Sequence, residues 1–187
     1  MILYINACVR RKSRTERLAR HLLTKMGEPF TEVRLSEVAF PVADEAFLQK
    51  RDALIRDSAW EDPLFSLARQ FAAADQIVVA APFWDLSFPA SLKQYFEQIN
   101  VLGITFRYTS EGIPKSLCRA KRLYYVTTAG GNFFPQEYGF DYVKALATAF
   151  YGIPSMELIA ATGLDVDGAD EKQILQDCMR KIDCLIP

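Results

Sequence analysis

The chain has one histidine, His21, and four cysteines, Cys8, Cys118, Cys178 and Cys184, with no CxxC among them. That inventory cannot build a His-rich metal centre, and it gives a zinc site or a disulfide framework none of the usual spacings. No apolar stretch approaches the roughly 20 residues that a membrane-spanning helix needs. Residues 1–5 run straight into a strand pattern without the layout of a signal peptide, so a cytoplasmic protein with no membrane span is expected. Neither sign of charge dominates, since 22 Lys+Arg stand against 23 Asp+Glu for a net charge of -1. This argues against a nucleic-acid binder and against the strongly acidic surface of small electron carriers. A GxxxxGK(S/T) phosphate loop is absent, which excludes the common nucleotide triphosphatases. No internal repeat or low-complexity tract divides the chain.

What remains is ordinary globular material: 187 residues, 50% hydrophobic and 24% charged, enough for one domain over 1–187 to bury a core without staples. Its organising stretch is Ile77-Val78-Val79-Ala80-Ala81 followed by Pro82-Phe83-Trp84-Asp85-Leu86. The short, β-branched, uninterrupted run suits a parallel strand covered on both faces. Two large aromatics then stand where a loop leaves the carboxyl edge of a sheet, the place where open α/β sheets bind ligands. From this loop alone, core aromatics and a ligand slot are equally good readings. A helix over 87–101 follows, with Ser87 as its cap and Pro89 in its first turn.

Ahead of it, a strand at 2–5 leads through Asn6-Ala7-Cys8-Val9-Arg10-Arg11-Lys12-Ser13-Arg14-Thr15 into a helix over 16–26. Hydroxyls, four nearby cations and the free N–H groups of a helix start together suit a phosphate. The competing reading is a solvated basic helix entrance. Residues 30–35 alternate like a strand near a sheet edge, and helices are expected over 44–55 and 63–74. The part from 36 to 63 has few long apolar faces and reads as an interface arm or a lid. Beyond the central stretch come a turn-rich loop at 109–114, a strand at 122–127 emptying into Thr128-Ala129-Gly130-Gly131, a helix over 142–150, a strand at 155–160 and a closing helix over 170–185. Adjacent glycines let backbone approach a ligand closely. Strands alternate with helices throughout, so the sheet should be parallel.

Three segments carry a resemblance: Ser13-Arg14-Thr15 at the opening of the first helix, Pro82 to Leu86 with Pro89-Ala90-Ser91-Leu92-Lys93, and Gly103-Ile104-Thr105-Phe106-Arg107-Tyr108 with Gly112. Thr128 to Gly131 adds a fourth. The chain resembles the flavodoxin-like NAD(P)H:quinone oxidoreductases and FMN-dependent NADH-azoreductases. The resemblance implies a five-stranded parallel sheet of order 2-1-3-4-5 with helices on both faces. It implies FMN, with its phosphate on Ser13, Arg14 and Thr15, its ring beside Pro82, Phe83 and Trp84 with Asp85 and Leu86 close by, and its polar edge at Thr128, Ala129, Gly130 and Gly131. It further implies NADH or NADPH as reductant, ping-pong kinetics with the hydride carried on flavin N5 and no protein nucleophile, and quinones, azo compounds or related planar molecules as acceptors. Members are typically homodimers, which sets Phe106 and Tyr108 toward the substrate over the partner's flavin. Two departures stand out: Asp85 replaces the family's usual Asn, and Thr128-Ala129 replaces Ser-Arg. A carboxylate at the ring would lower the flavin potential.

Two other classes compete. Cys8 to Thr15 also satisfies CxxxxxR(S/T), the loop in which a low-molecular-weight tyrosine phosphatase uses a Cys thiolate as nucleophile and an Arg for the phosphate oxygens, here Cys8 and Arg14. The loop has no glycine, and the last 50 residues contain no Asp-Pro for the general acid. A non-catalytic flavodoxin-like electron carrier is the other alternative.

Overall fold

In the computed structural model, which describes residues 1–186, seven strands and six α-helices follow one another. They are β1 (Ile2–Asn6), α1 (Arg14–Met26), β2 (Phe30–Arg34), α2 (Glu45–Arg56), α3 (Ser66–Ala73), β3 (Gln76–Ala80), α4 (Ala90–Ile99), β4 (Phe106–Tyr108), β5 (Pro114–Ser116), β6 (Arg122–Thr128), α5 (Phe140–Ala149), β7 (Ser155–Ala161) and α6 (Glu171–Leu185). Five strands form one parallel sheet of order β2-β1-β3-β6-β7. With the small β4–β5 pair set aside, this is the expected order 2-1-3-4-5.

The strand period of two explains how one sheet serves two cores. In β1, Leu3 and Ile5 face a cluster with Ala68 and Phe71 of α3, Leu92, Tyr95 and Phe96 of α4 and Val143 of α5. Ile2 and Tyr4 face the other cluster, with Leu18, Leu22 and Leu23 of α1 and Leu175 and Ile182 of α6. Being buried on both faces, the central strands are apolar along most of their length, and all five residues of β1 are buried, its one polar residue Asn6 being hydrogen-bonded to Glu32 and to the Cys8 N–H.

The helix ends follow local chemistry. Ser13 caps α1 by accepting from the Glu16 N–H at 3.2 Å, and Gly27 ends it in the left-handed region at φ 66. Asp44 and Asp170 cap α2 and α6 in the same way as Ser13.

Three expectations need correction. Helix α4 begins at Ala90, and Ser87 does not cap it. The reason is a tight turn in which the Trp84 N–H donates to the Ser87 carbonyl at 2.9 Å and the Ser87 N–H donates back to that of Trp84 at 2.8 Å. This turn directs the Ser87 hydroxyl to the Tyr138 carbonyl. The helix expected over 63–74 divides into a 3-10 turn, Pro63–Phe65, and α3, because Asp62 caps the turn and Ser66 opens the helix proper. Finally, residues 106–116 form an antiparallel hairpin, β4 with β5, that the turn-rich sequence did not signal.

Segment 36–63 contains α2, none of whose residues is buried. It is fixed by Arg51, which donates to the Asn100 carbonyl, and by Trp60. The Trp60 ring occupies the space beside Gly103, where a Cβ would lie 2.6 Å from it. Among the described residues no helix is long and apolar enough to cross a membrane.

Candidate functional site

The loops after β1, β3, β6 and β7 leave the same edge of the sheet, as parallel strands require. Backbone hydrogen bonds continue past the strand ends and step the loops into register. The Ala7 N–H donates to the Ala80 carbonyl (2.8 Å), Ala81 to Val126 (3.0 Å), Phe83 to Thr128 (3.0 Å) and Ala129 to Ala161 (2.9 Å). Between them lies a cleft of about 190 Å³ lined from one side by Arg10, Lys12, Ser13, Arg14 and Thr15, from another by Pro82, Phe83 and Trp84, and closed by Thr128, Gly130 and Asp165.

The first wall is made of donors. The N–H groups of a helix's first turn have no partner within the helix, and Ser13 takes up only that of Glu16. Thr15 is buried and its hydroxyl sits 2.7 Å from that of Thr128. One hydroxyl donates to the other, which leaves one proton of the pair for an anion.

Arg14 behaves differently from expectation. Its guanidinium lines the cleft but is committed to Asp165, at 2.8 and 3.2 Å, and to Glu171 at 3.3 Å. The hydrogen bonds to Asp165 are the main cause holding the Arg14 pKa above its ordinary value, and they hold that of Asp165 below the usual carboxylate range. Free cationic charge in the cleft comes from Arg10 and Lys12. Asp165, in the loop after β7, is the site residue that the sequence did not single out. Its carboxylate fills the space beside Gly130, where a Cβ would come within 2.3 Å of Oδ2. The Asp165 N–H also donates to the Gly130 carbonyl at 2.8 Å. Gly130 is therefore small at least partly for the sake of Asp165.

The second wall is aromatic. Phe83 packs edge-on against Phe134, with ring centroids 4.9 Å apart, and Trp84 is 37% exposed. Phe88 instead contacts Phe96 and Tyr142 in the core. Asp85 and Leu86 occupy the middle of the Trp84–Ser87 turn at φ 48 and 69. Two positive φ values in succession with paired ends describe a type I′ turn, which Asp accepts readily and Leu does not.

Asp85, Leu86, Ala129 and Gly131 do not line the cleft. Asp85 and Leu86 project at the exposed turn, and Ala129 is buried behind the sheet edge. Phe106 and Tyr108 are also outside it. Phe106 is buried in the base of the hairpin against Phe150 and Tyr108, while Tyr108 is exposed.

The phosphatase reading fails on Cys8. The thiol is 1% exposed, and burial is the chief cause pushing its pKa up to about 11, so no thiolate is available at neutral pH. Its Sγ–H points to the Ala80 carbonyl, and Arg14, the proposed phosphate residue, is held by Asp165.

The model for a family described as having a flavodoxin-like fold matches residues 1–185. The chain belongs to that flavodoxin-like family. Among curated relatives, an FMN-dependent NADH:quinone oxidoreductase of Lachnoclostridium phytofermentans is 36% identical, with 90% of this chain and 89% of the relative covered. One of the same name from Coprothermobacter proteolyticus is 30% identical over 98% of this chain and 96% of its own. Among solved structures, an FMN-dependent NADH-azoreductase from Bacillus anthracis, in complex with FMN, superposes with a TM-score of 0.82 at 22% identity, covering 99% of this chain and 96% of that one. At that identity the likeness concerns the fold.

Proposed function

We propose that the protein is an FMN-dependent NADH oxidoreductase that reduces quinones and related planar acceptors in the cytoplasm, and that it works as a homodimer. The observation that carries this reading is the cleft, which joins a cationic, donor-rich end to an aromatic end within one flavodoxin-like family member. A phosphorylated planar cofactor has the same division. Its phosphate suits Ser13, Thr15, the start of α1, Arg10 and Lys12, and its ring suits Pro82, Phe83 and Trp84. The names of the curated relatives support FMN and NADH.

FMN bound there supplies the two-electron chemistry that links a hydride donor to an acceptor. The chain does the rest. The hydroxyl pair Thr15–Thr128 ties the phosphate wall to β6. The Arg14–Asp165 pair ties α1 to the loop after β7, which in turn holds the Gly130 loop by backbone hydrogen bonds. Trp84 offers an exposed ring surface for a planar reactant.

The homodimer is supported by exposed aromatic surface next to the cleft. Phe133 and Tyr138 are 75% and 60% exposed, on a segment fastened to the aromatic loop through Phe83–Phe134 and the Ser87 hydroxyl. A second copy packed there would shelter the ring site from water, and the exposed Tyr108 belongs in this reading to the partner-facing surface. The test is direct. Flavin released by denaturing the purified protein should run with FMN, and NADH oxidation should depend on both that flavin and an added quinone. A protein that neither carries nor takes up FMN would overturn the reading.

A further inference from the structure

From Arg10 to Arg20 the chain sets Arg10, Arg11, Lys12, Arg14, Arg17 and Arg20 against a single acid, Glu16. Folding divides these cations into two sets. Arg14 is ion-paired with Asp165 and Glu171, and Arg20 with Glu16 and Glu32. Arg10, Arg11, Lys12 and Arg17 form no ion pair among the described residues. Arg10 and Lys12 face the cleft already described. Arg11 and Arg17 do not.

They line a second groove of about 570 Å³ that shares Lys12, Ser13 and Arg14 with the cleft and continues along the outer side of α1. Of its two acids, Glu16 is bound by Arg20 and Arg34, whereas Glu171 shares Arg14 with Asp165 and keeps negative charge. With Arg11, Lys12, Arg14, Arg17 and Arg20 lining it against Glu16 and Glu171, the groove is still cationic, and it opens from the phosphate end of the cofactor cleft. One phosphate monoester in the cleft leaves Arg11 and Arg17 without a counter-charge.

We propose that this groove binds the diphosphate of an adenosine-containing dinucleotide, the hydride donor, with Arg11 and Arg17 as its principal contacts. The inference rests on the function proposed above. A donor whose nicotinamide reaches the Trp84 side of the cleft carries two further negative charges on its diphosphate, and this cationic groove is continuous with that cleft. Quinone acceptors have no such charges. The groove therefore distinguishes donor from acceptor at a ring surface that both must use in turn. The same adenosine diphosphate chemistry occurs in FAD, and the experiment separates the two sources.

The test uses the FMN-loaded protein and its Arg11→Gln/Arg17→Gln variant. The KM for NADH should rise about tenfold in the variant, as expected for lost charge-assisted hydrogen bonds, with kcat and FMN content unchanged. The KM for N-benzyl-1,4-dihydronicotinamide, a donor without phosphates, should not move. ADP-ribose should compete with NADH on the wild-type protein and about tenfold more weakly on the variant. An NADH KM that stays the same, or that rises equally for both donors, overturns the proposal while leaving the FMN reading intact. A variant that loses affinity for FAD but keeps its NADH KM assigns the groove to the flavin and also overturns it. Should the protein prove to hold no FMN, calorimetry with ADP-ribose still decides: binding that the variant loses supports the groove, and no binding overturns it.

Discussion

The loop after β1 and the first turn of α1 bring Arg10, Lys12, Ser13, Arg14 and Thr15 to the cleft, all of them polar; the loop after β3 brings Pro82, Phe83 and Trp84, none of them charged. The first is shaped by hydrogen bonds that leave ordinary backbone, with Ser13 extended at φ -69 before a regular helix. The second is shaped by a turn that forces Asp85 and Leu86 into the left-handed region. One wall selects by charge and by directed donors, the other by shape. Substitutions that change charge should therefore act at the first wall, and substitutions that change backbone or ring surface at the second.

The largest effect is expected from Ser13→Asp. Asp caps a helix about as well as Ser, so α1 should persist, but its carboxylate would face a phosphate. FMN affinity should fall by about 10- to 100-fold, the scale of one unfavourable charge contact of about 1 to 3 kcal/mol. The melting temperature should scarcely change. Flavin-fluorescence titration and thermal denaturation measure the two.

Next is Gly130→Ala. The new Cβ would collide with Asp165 Oδ2, which Arg14 holds in place, so unfolding in urea should show a loss of about 1 to 3 kcal/mol. Adding Asp165→Ala should make the Gly130→Ala change nearly neutral within that background. Equal costs in both backgrounds would detach Gly130 from Asp165.

At the aromatic wall, Leu86→Gly should stabilise the turn by about 1 kcal/mol, because glycine meets no steric penalty at φ 69. Asp85→Asn, at an exposed turn position outside the cleft, should shift the flavin midpoint potential by no more than about 10 mV, well under 1 kcal/mol. Spectroelectrochemistry reads it, and a rise of tens of millivolts would place the carboxylate at the ring.

The smallest effect is expected from Cys8→Ser, with NADH–quinone activity unchanged within about twofold. Native Cys8 should also resist iodoacetamide at pH 8. A thiol with a raised pKa is protonated below that value, so labelling should increase only as the pH approaches about 11.

The parallel sheet was legible because its central strands are buried on both faces and so must be continuous apolar runs. Ile77 to Ala81 could hardly be read otherwise. The β4–β5 hairpin was not legible: Phe-Arg-Tyr and Pro-Lys-Ser are too short for alternation to show, and they form a small sheet apart from the main one. The site divides in the same way. Ser13, Arg14 and Thr15, or Pro82, Phe83 and Trp84, stand together in the sequence and each follows a strand. Asp165 was missed because its partner Arg14 lies 151 residues away. The available signal was topological: the loop after the fifth sheet strand leaves the same edge as the others. Ser87 misled because a hydroxyl before a helix normally caps it, and here Ser87 closes the Trp84–Ser87 turn, before the Pro89 position from which α4 starts.

The measurement that bears most directly on the two-wall account is a paired titration of Ser13→Asp and Trp84→Ala with FMN and with riboflavin, which has the ring but no phosphate. Ser13→Asp should weaken FMN about 10-fold or more and leave riboflavin within about twofold, whereas Trp84→Ala should weaken both ligands by a similar factor of about 10. A Ser13→Asp protein that loses riboflavin as severely as FMN, or a Trp84→Ala protein that binds both normally, would contradict it.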